Sequence, residues 1–274
     1  MDALNQYAVQ AVIGGSVQVG LGPSSSLSLT QFRNAQNYGI LTPKLGISEE
    51  TVLATSPGAG ASTTSTLAYP AAGAPRPHGV STVAGGAGAG SYGYDAAGNQ
   101  ITRPGQAVTY NETGKAAKVV VGSETQQNVF DADGTLLLRT STTGGSALFL
   151  GDTTLTQAVG STVIAGFRTY AGAEGKPVAQ RSAKTGTTGS TLSWLFTTLE
   201  GTVDVQTNAA TGATVAQYRD PFGAPAGSTP QAWADGVGYM NKQVAETTKL
   251  TNVGARTYDP VLGKFLSIDT IRPQ

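Results

Sequence analysis

Few residues in this chain have the type and spacing of reactive chemistry. Asp131-Ala132-Asp133-Gly134 opens like a calcium loop, in which alternating carboxylates offer oxygen to a hard cation. The further ligand pair and the closing Glu of such a loop are missing, so turn chemistry accounts for the run. Gly88-Ala89-Gly90-Ser91-Tyr92-Gly93 has the spacing of a dinucleotide fingerprint. That fingerprint must follow a strand and open a helix. Here it opens a strand and a hairpin turn, and is read as chance in a Gly-rich run. His78, between Pro77 and Gly79, is the single histidine. No partner Ser is placed for a catalytic triad through it. The sequence implies no cofactor and no metal site.

A small recurring unit is more informative. It reads Tyr94-Asp95-Ala96-Ala97-Gly98, then Tyr110-Asn111-Glu112-Thr113-Gly114, then Phe130-Asp131-Ala132-Asp133-Gly134. Degraded copies are Tyr218-Arg219-Asp220-Pro221-Phe222-Gly223 and Tyr258-Asp259-Pro260-Val261-Leu262-Gly263. Asp or Asn at the first turn position hydrogen-bonds its own backbone two residues on, and Gly supplies a positive φ. The geometry is a type I turn closed by a bulge. The aromatic packs on a pleated, half-buried surface. Aromatic anchors at 94, 110, 130, 149, 170, 196 and 218 recur about every 20 residues, the length of a two-stranded unit in a stacked repeat.

Composition agrees. Of 274 residues 37 are Gly, and 12% are charged, against about 25% in ordinary globular chains. Seventeen basic and seventeen acidic residues balance, leaving no basic field for nucleic acid. No stretch approaches a membrane span. There is no Cys, which excludes disulfides and thiolate chemistry. Met1-Asp2-Ala3-Leu4-Asn5-Gln6 lacks the basic start of a signal peptide.

Along the chain, alternation over 7–21 around Gly14-Gly15 predicts a hairpin. Residues 1–66 are otherwise irregular, with a short helix expected near Ser48-Glu49-Glu50. A Pro/Gly-rich connector runs over 67–91. Strands are predicted at 107–110, 116–121, 127–130, 136–139, 147–150, 163–170, 177–181, 193–198, 203–207 and 215–218. Thr229-Pro230 predicts a helix start, leading into Trp233. Trp194 and Trp233 are expected to pack between units, while exposed aromatics leave a carbohydrate or protein ligand open. The expected class is all-β: a curved, hairpin-built sheet over 67–218, with 219–274 folding back as a plug.

These residues resemble the RHS, or YD-repeat, family. Gly93-Tyr94-Asp95-Ala96-Ala97-Gly98-Asn99 is similar to its repeat. Gly254-Ala255-Arg256-Thr257-Tyr258-Asp259-Pro260-Val261-Leu262-Gly263-Lys264-Phe265-Leu266-Ser267-Ile268-Asp269 is similar to its repeat-associated core. The resemblance covers about residues 67–270. Thr270 stands where the family usually has Pro, and Lys249 where Gly is common. The resemblance implies a shell segment that encloses or presents a variable C-terminal effector, within a longer secreted or cell-surface protein. Its partners would be that effector and upstream repeats. It also implies the alternative of a vestigial aspartyl-type self-processing activity, with Arg256, Asp259 and Asp269 at the catalytic positions. Two carboxylates held close can share a proton. A surface adhesion module is the other alternative. An upstream edge strand near 7–21 or 92–94 would be open to self-association.

Overall fold

The computed structural model describes residues 28–30, 49–55, 62–71, 73–226 and 229–268. The hairpin expected over 7–21, and Asp269 and Thr270, lie outside them. The described residues are almost entirely strand and turn, as expected of an all-β chain.

Three sheets follow one another. Strands β1 (Ser28–Thr30), β2 (Glu49–Thr55), β3 (Ser62–Ala68), β4 (Thr82–Ala84) and β5 (Gly90–Ser91) form the first, in chain order. The second has thirteen strands, also in chain order. It runs from β6 (Gly93–Tyr94) through β7 (Gln100–Arg103), β8 (Gln106–Tyr110), β9 (Ala116–Val121), β10 (Glu124–Phe130), β11 (Leu136–Ser141) and β12 (Gly145–Leu150). It continues through β13 (Thr153–Gln157), β14 (Ile164–Ala171), β15 (Pro177–Lys184), β16 (Thr191–Thr197) and β17 (Val203–Asn208) to β18 (Thr214–Ala216). The third contains β19 (Gln243–Val244), β20 (Thr251–Val253), β21 (Arg256–Asp259) and β22 (Lys264–Phe265).

The turn chemistry builds the long sheet. Asp131 Oδ1 accepts the N–H groups of Asp133 (3.0 Å) and Thr135 (2.8 Å), and Gly134 N–H donates to the Asp131 carbonyl at 3.1 Å. Asn111 repeats this with Thr113 and Lys115, and Asp220 with Phe222 and Ala224. Gly134 has φ +78°, which the bulge requires. The ladder slips at Thr109/Tyr110 and Val129/Phe130, placing each aromatic at its bulge. Two further tips use other openers: Gly172 with Gly175, and Thr198 with Gly201.

Four expectations are corrected. Glu49–Thr55 is a strand, not a helix start, because its register pairs it residue by residue with Ser62–Ala68. The 67–91 connector is part of a core: Leu67, Tyr69, Val80, Val83 and Tyr92 pack with Leu262. Residues 229–235 form no helix. The Gln231 and Ala232 N–H groups donate to the Glu246 carboxylate, and Trp233 N–H closes a turn on Val237. Trp194 is 50% exposed rather than packed between units. Trp233 is half-buried, its Nε1 donating to the Val203 carbonyl at 2.9 Å.

Candidate functional site

The third sheet and its loops, residues 219–268, lie as a cap on one face of the thirteen-stranded sheet. The seam is polar. Gln106 Nε2 donates to the Thr248 carbonyl at 3.0 Å. Thr248 Oγ1 donates to Gln126 Oε1 at 3.3 Å. Arg139 donates to the Val244 carbonyl (2.8 Å) and to Asn252 Oδ1 (3.0 Å), with its guanidinium over the Phe149 ring. Burial pushes the Arg139 pKa down to about 10, so it remains a cation at neutral pH. Gln180 Nε2 donates to Asp235 Oδ2 at 2.7 Å. Apolar contact supplements this: Leu250 and Leu266 of the cap pack with Val108, Ala116 and Val119, each buried Leu or Val side chain contributing roughly 1.5–3 kcal/mol. Next to the seam, a cavity of about 570 Å³ is lined by Glu124, Arg139, Trp233 and Glu246 among others.

Asp259 sits at one end of this seam. It is fully buried, at 0% exposure. Its Oδ2 accepts from Arg103 Nη2 at 2.7 Å, and its Oδ1 accepts the Val261 N–H at 2.9 Å. It is thus both a turn opener and half of a buried ion pair between cap and sheet. Burial, and then the negative charge of Asp259, push the nearby Tyr92 phenol up; its hydroxyl donates to the Gly88 carbonyl.

Arg256 is placed elsewhere. It opens the strand that Asp259 closes, three positions away, so alternation turns the two side chains to opposite faces. Its guanidinium lies 3.9 Å from the Phe265 ring centroid, a cation–π contact. The structure therefore does not bring Arg256 and Asp259 together. With both its oxygens engaged and its side chain 1% exposed, Asp259 is arranged as a clamp. Among the described residues, no group of three or more His, Cys, Asp or Glu is placed to hold a metal, and no helix is long and apolar enough to cross a membrane.

The residues that sequence reasoning missed are the sheet partners, Arg103, Arg139 and Gln180. Each pairs far along the chain, and no local pattern marks it.

No protein-family model matches the chain, and no curated protein is similar to it. Solved structures do share the fold. The TcdB2-TccC3 structure aligns with TM-score 0.56 and 16% identity, over 76% of this chain and 12% of that one. TcdB2-TccC3-TEV aligns with 0.55 and 17% over the same shares. TcdB2-TccC3 without its hypervariable C-terminal region gives 0.56 and 18%, again over 76% and 12%. The chain thus spans about 12% of the length of these neighbours, and the likeness is one of fold.

Proposed function

We propose that this chain is a structural segment of an RHS/YD-repeat shell, within a longer secreted or cell-surface protein, that encloses or presents a variable C-terminal effector. The observation that carries the reading is the docking of the cap on the sheet. The Leu266 carbonyl accepts the Gln100 N–H at 2.7 Å and the Tyr110 hydroxyl at 3.4 Å. The end of the cap at Leu266 is therefore pinned against the first repeats. The shared fold supports this, as does the hypervariable C-terminal region named for one neighbour. The test is limited proteolysis of the longer protein with its C-terminal segment attached. The segment should resist cleavage while the cap is docked and become sensitive in Arg103→Met. Equal digestion in both proteins sinks the reading.

One feature favours adhesion as a second reading. Tyr170, Ala179, Trp194 and Thr207 stand directly opposite one another on adjacent strands. Tyr170 and Trp194 are 41% and 50% exposed, amphipathic rings suited to a wet contact. A glycan array on which Trp194→Ala binds like the wild type removes this reading for sugars.

A further inference from the structure

The strand β18 ends the long sheet downstream, and β6 ends it upstream. At that end β6 is followed back by Tyr92, whose N–H donates to the Ser81 carbonyl at 3.0 Å, and then by the first sheet. The other end is β18, Thr214–Ala216. It is the one strand of the thirteen in which every residue is exposed.

The hydrogen bonds fix which of its backbone groups are free. Gln217 N–H donates to the Asp204 carbonyl and Asn208 N–H to the Ala213 carbonyl, both at 2.8 Å. Positions 213, 215 and 217 therefore point their backbone groups at β17. By alternation Thr214 and Ala216 point theirs outward, and no described residue takes them. Just beyond, the edge closes again: Tyr218 N–H donates to Thr229 Oγ1, and its carbonyl accepts the Ala226 N–H. The open window is thus short and sharply bounded.

Natural edges are guarded by charge, Pro or bulges. This one carries no charge and no Pro from Val205 to Tyr218. Its side chains are small or β-branched, which permits close approach and favours strand pairing.

We infer that β18 is a pairing edge whose partner is β18 of a second copy of this chain, running antiparallel across a twofold axis through Val215. The window is self-complementary in that register. Thr214 faces Ala216 of the second copy, and Ala216 faces its Thr214, each pair exchanging two N–H···O bonds. Val215, 58% exposed, meets its own copy on the axis as a non-hydrogen-bonded pair with Cα atoms roughly 4.5 Å apart. The isologous contact closes at two copies. With four backbone hydrogen bonds and little buried area it is a weak, concentration-dependent dimer.

The experiment is sedimentation equilibrium of the 274-residue chain over a concentration series, with amide exchange read at both ends of the series. The expected result is a monomer–dimer equilibrium in which the Thr214 and Ala216 amides gain protection with concentration. Val215→Lys sets two ammonium groups against each other on the axis and should weaken association by about tenfold or more. Ala216→Pro removes an outward N–H that the sheet itself does not use, and should do the same. Thermal unfolding of both variants shows whether the fold is kept, and the exchange readout on wild type stands without them. A monomer throughout the series overturns the inference. So does association that survives both substitutions, which would place the contact on the exposed Tyr170–Trp194 face instead.

Discussion

Arg103 and Asp259 are 156 positions apart in the chain and 2.7 Å apart in space. Their side chains are 6% and 1% exposed. Removing one member of such a pair strands the other as a buried, uncompensated charge, which costs about 3–5 kcal/mol. Asp259→Asn and Arg103→Met should each lower stability by that amount in urea unfolding. The double variant should lose clearly less than the sum, because neither charge is then left alone. Single losses below about 1 kcal/mol would mean the pair does not clamp the cap.

The clamp changes how a processing experiment must be read. Cleavage lost in Asp259→Asn would reflect an undocked cap as readily as missing chemistry. Asp269→Asn is the informative variant. If the chain is structural, as proposed, the longer protein shows the same intact mass with and without that substitution. A precursor that is cut in wild type and intact in Asp269→Asn would establish self-processing.

Lys249 occupies a left-handed conformation, φ +61°, which costs an L-residue about 1–2 kcal/mol. This is the position where the resembling family commonly has Gly, and the backbone gives the reason. Lys249→Gly relieves that strain and gives back part of it in chain entropy. It also removes an exposed Lys249–Glu246 contact at 3.6 Å, worth little. The net expectation is a gain of about 0.5–1 kcal/mol, seen as a higher Tm. An unchanged or lower Tm would mean the side chain matters more than the backbone.

Gly223 gives the opposite sign. It closes the Asp220 turn with φ +88°, and an added Cβ would stand 2.1 Å from the Tyr239 ring. That ring stacks on Tyr258 at 5.9 Å, whose hydroxyl donates to the Phe222 carbonyl. Gly223→Ala therefore combines backbone strain with overpacking at a fixed ring. A loss of more than about 3 kcal/mol is expected. By contrast, Gly114→Ala meets nothing within 4 Å at φ +73° and should show the strain alone, about 1–2 kcal/mol. Equal losses at both sites would remove packing from the account.

How much of this was legible follows from the range of each interaction. The tips at Asp95, Asn111, Asp131, Asp220 and Asp259 are local: the carboxylate or amide and its N–H partners lie within four residues, so spacing alone reveals them. The tips at Gly172 and Thr198 escaped because their openers are Gly and Thr, which lack the Asp or Asn side chain that marks the other tips. The helix expected after Pro230 failed because Glu246, fourteen or more residues away, takes the N–H groups a helix start leaves free. Arg103 could not be matched to Asp259, nor Arg139 to the Val244 carbonyl, because only the docked cap brings them together. The exposure of Trp194 was hidden for the same reason: alternation gives its parity, but only the fold shows which face the cap covers.

Asp235 predicts how the seam responds to pH. Burial pushes its carboxyl above the ordinary 3.8, against the N–H of Val237 and the Gln180 amide, which favour the ionised form. The folded state therefore holds this proton more tightly than the unfolded chain. Its contribution to stability is full below pH 3.8 and is lost as pH rises through the raised folded value. Asp235→Asn retains an acceptor and removes the ionisation. Relative to wild type, the variant should gain stability steadily from about pH 3.5 towards neutrality, then level off. Parallel thermal unfolding curves across that range measure it. A difference between the two proteins that stays flat with pH would show that Asp235 is ionised as easily in the fold as out of it.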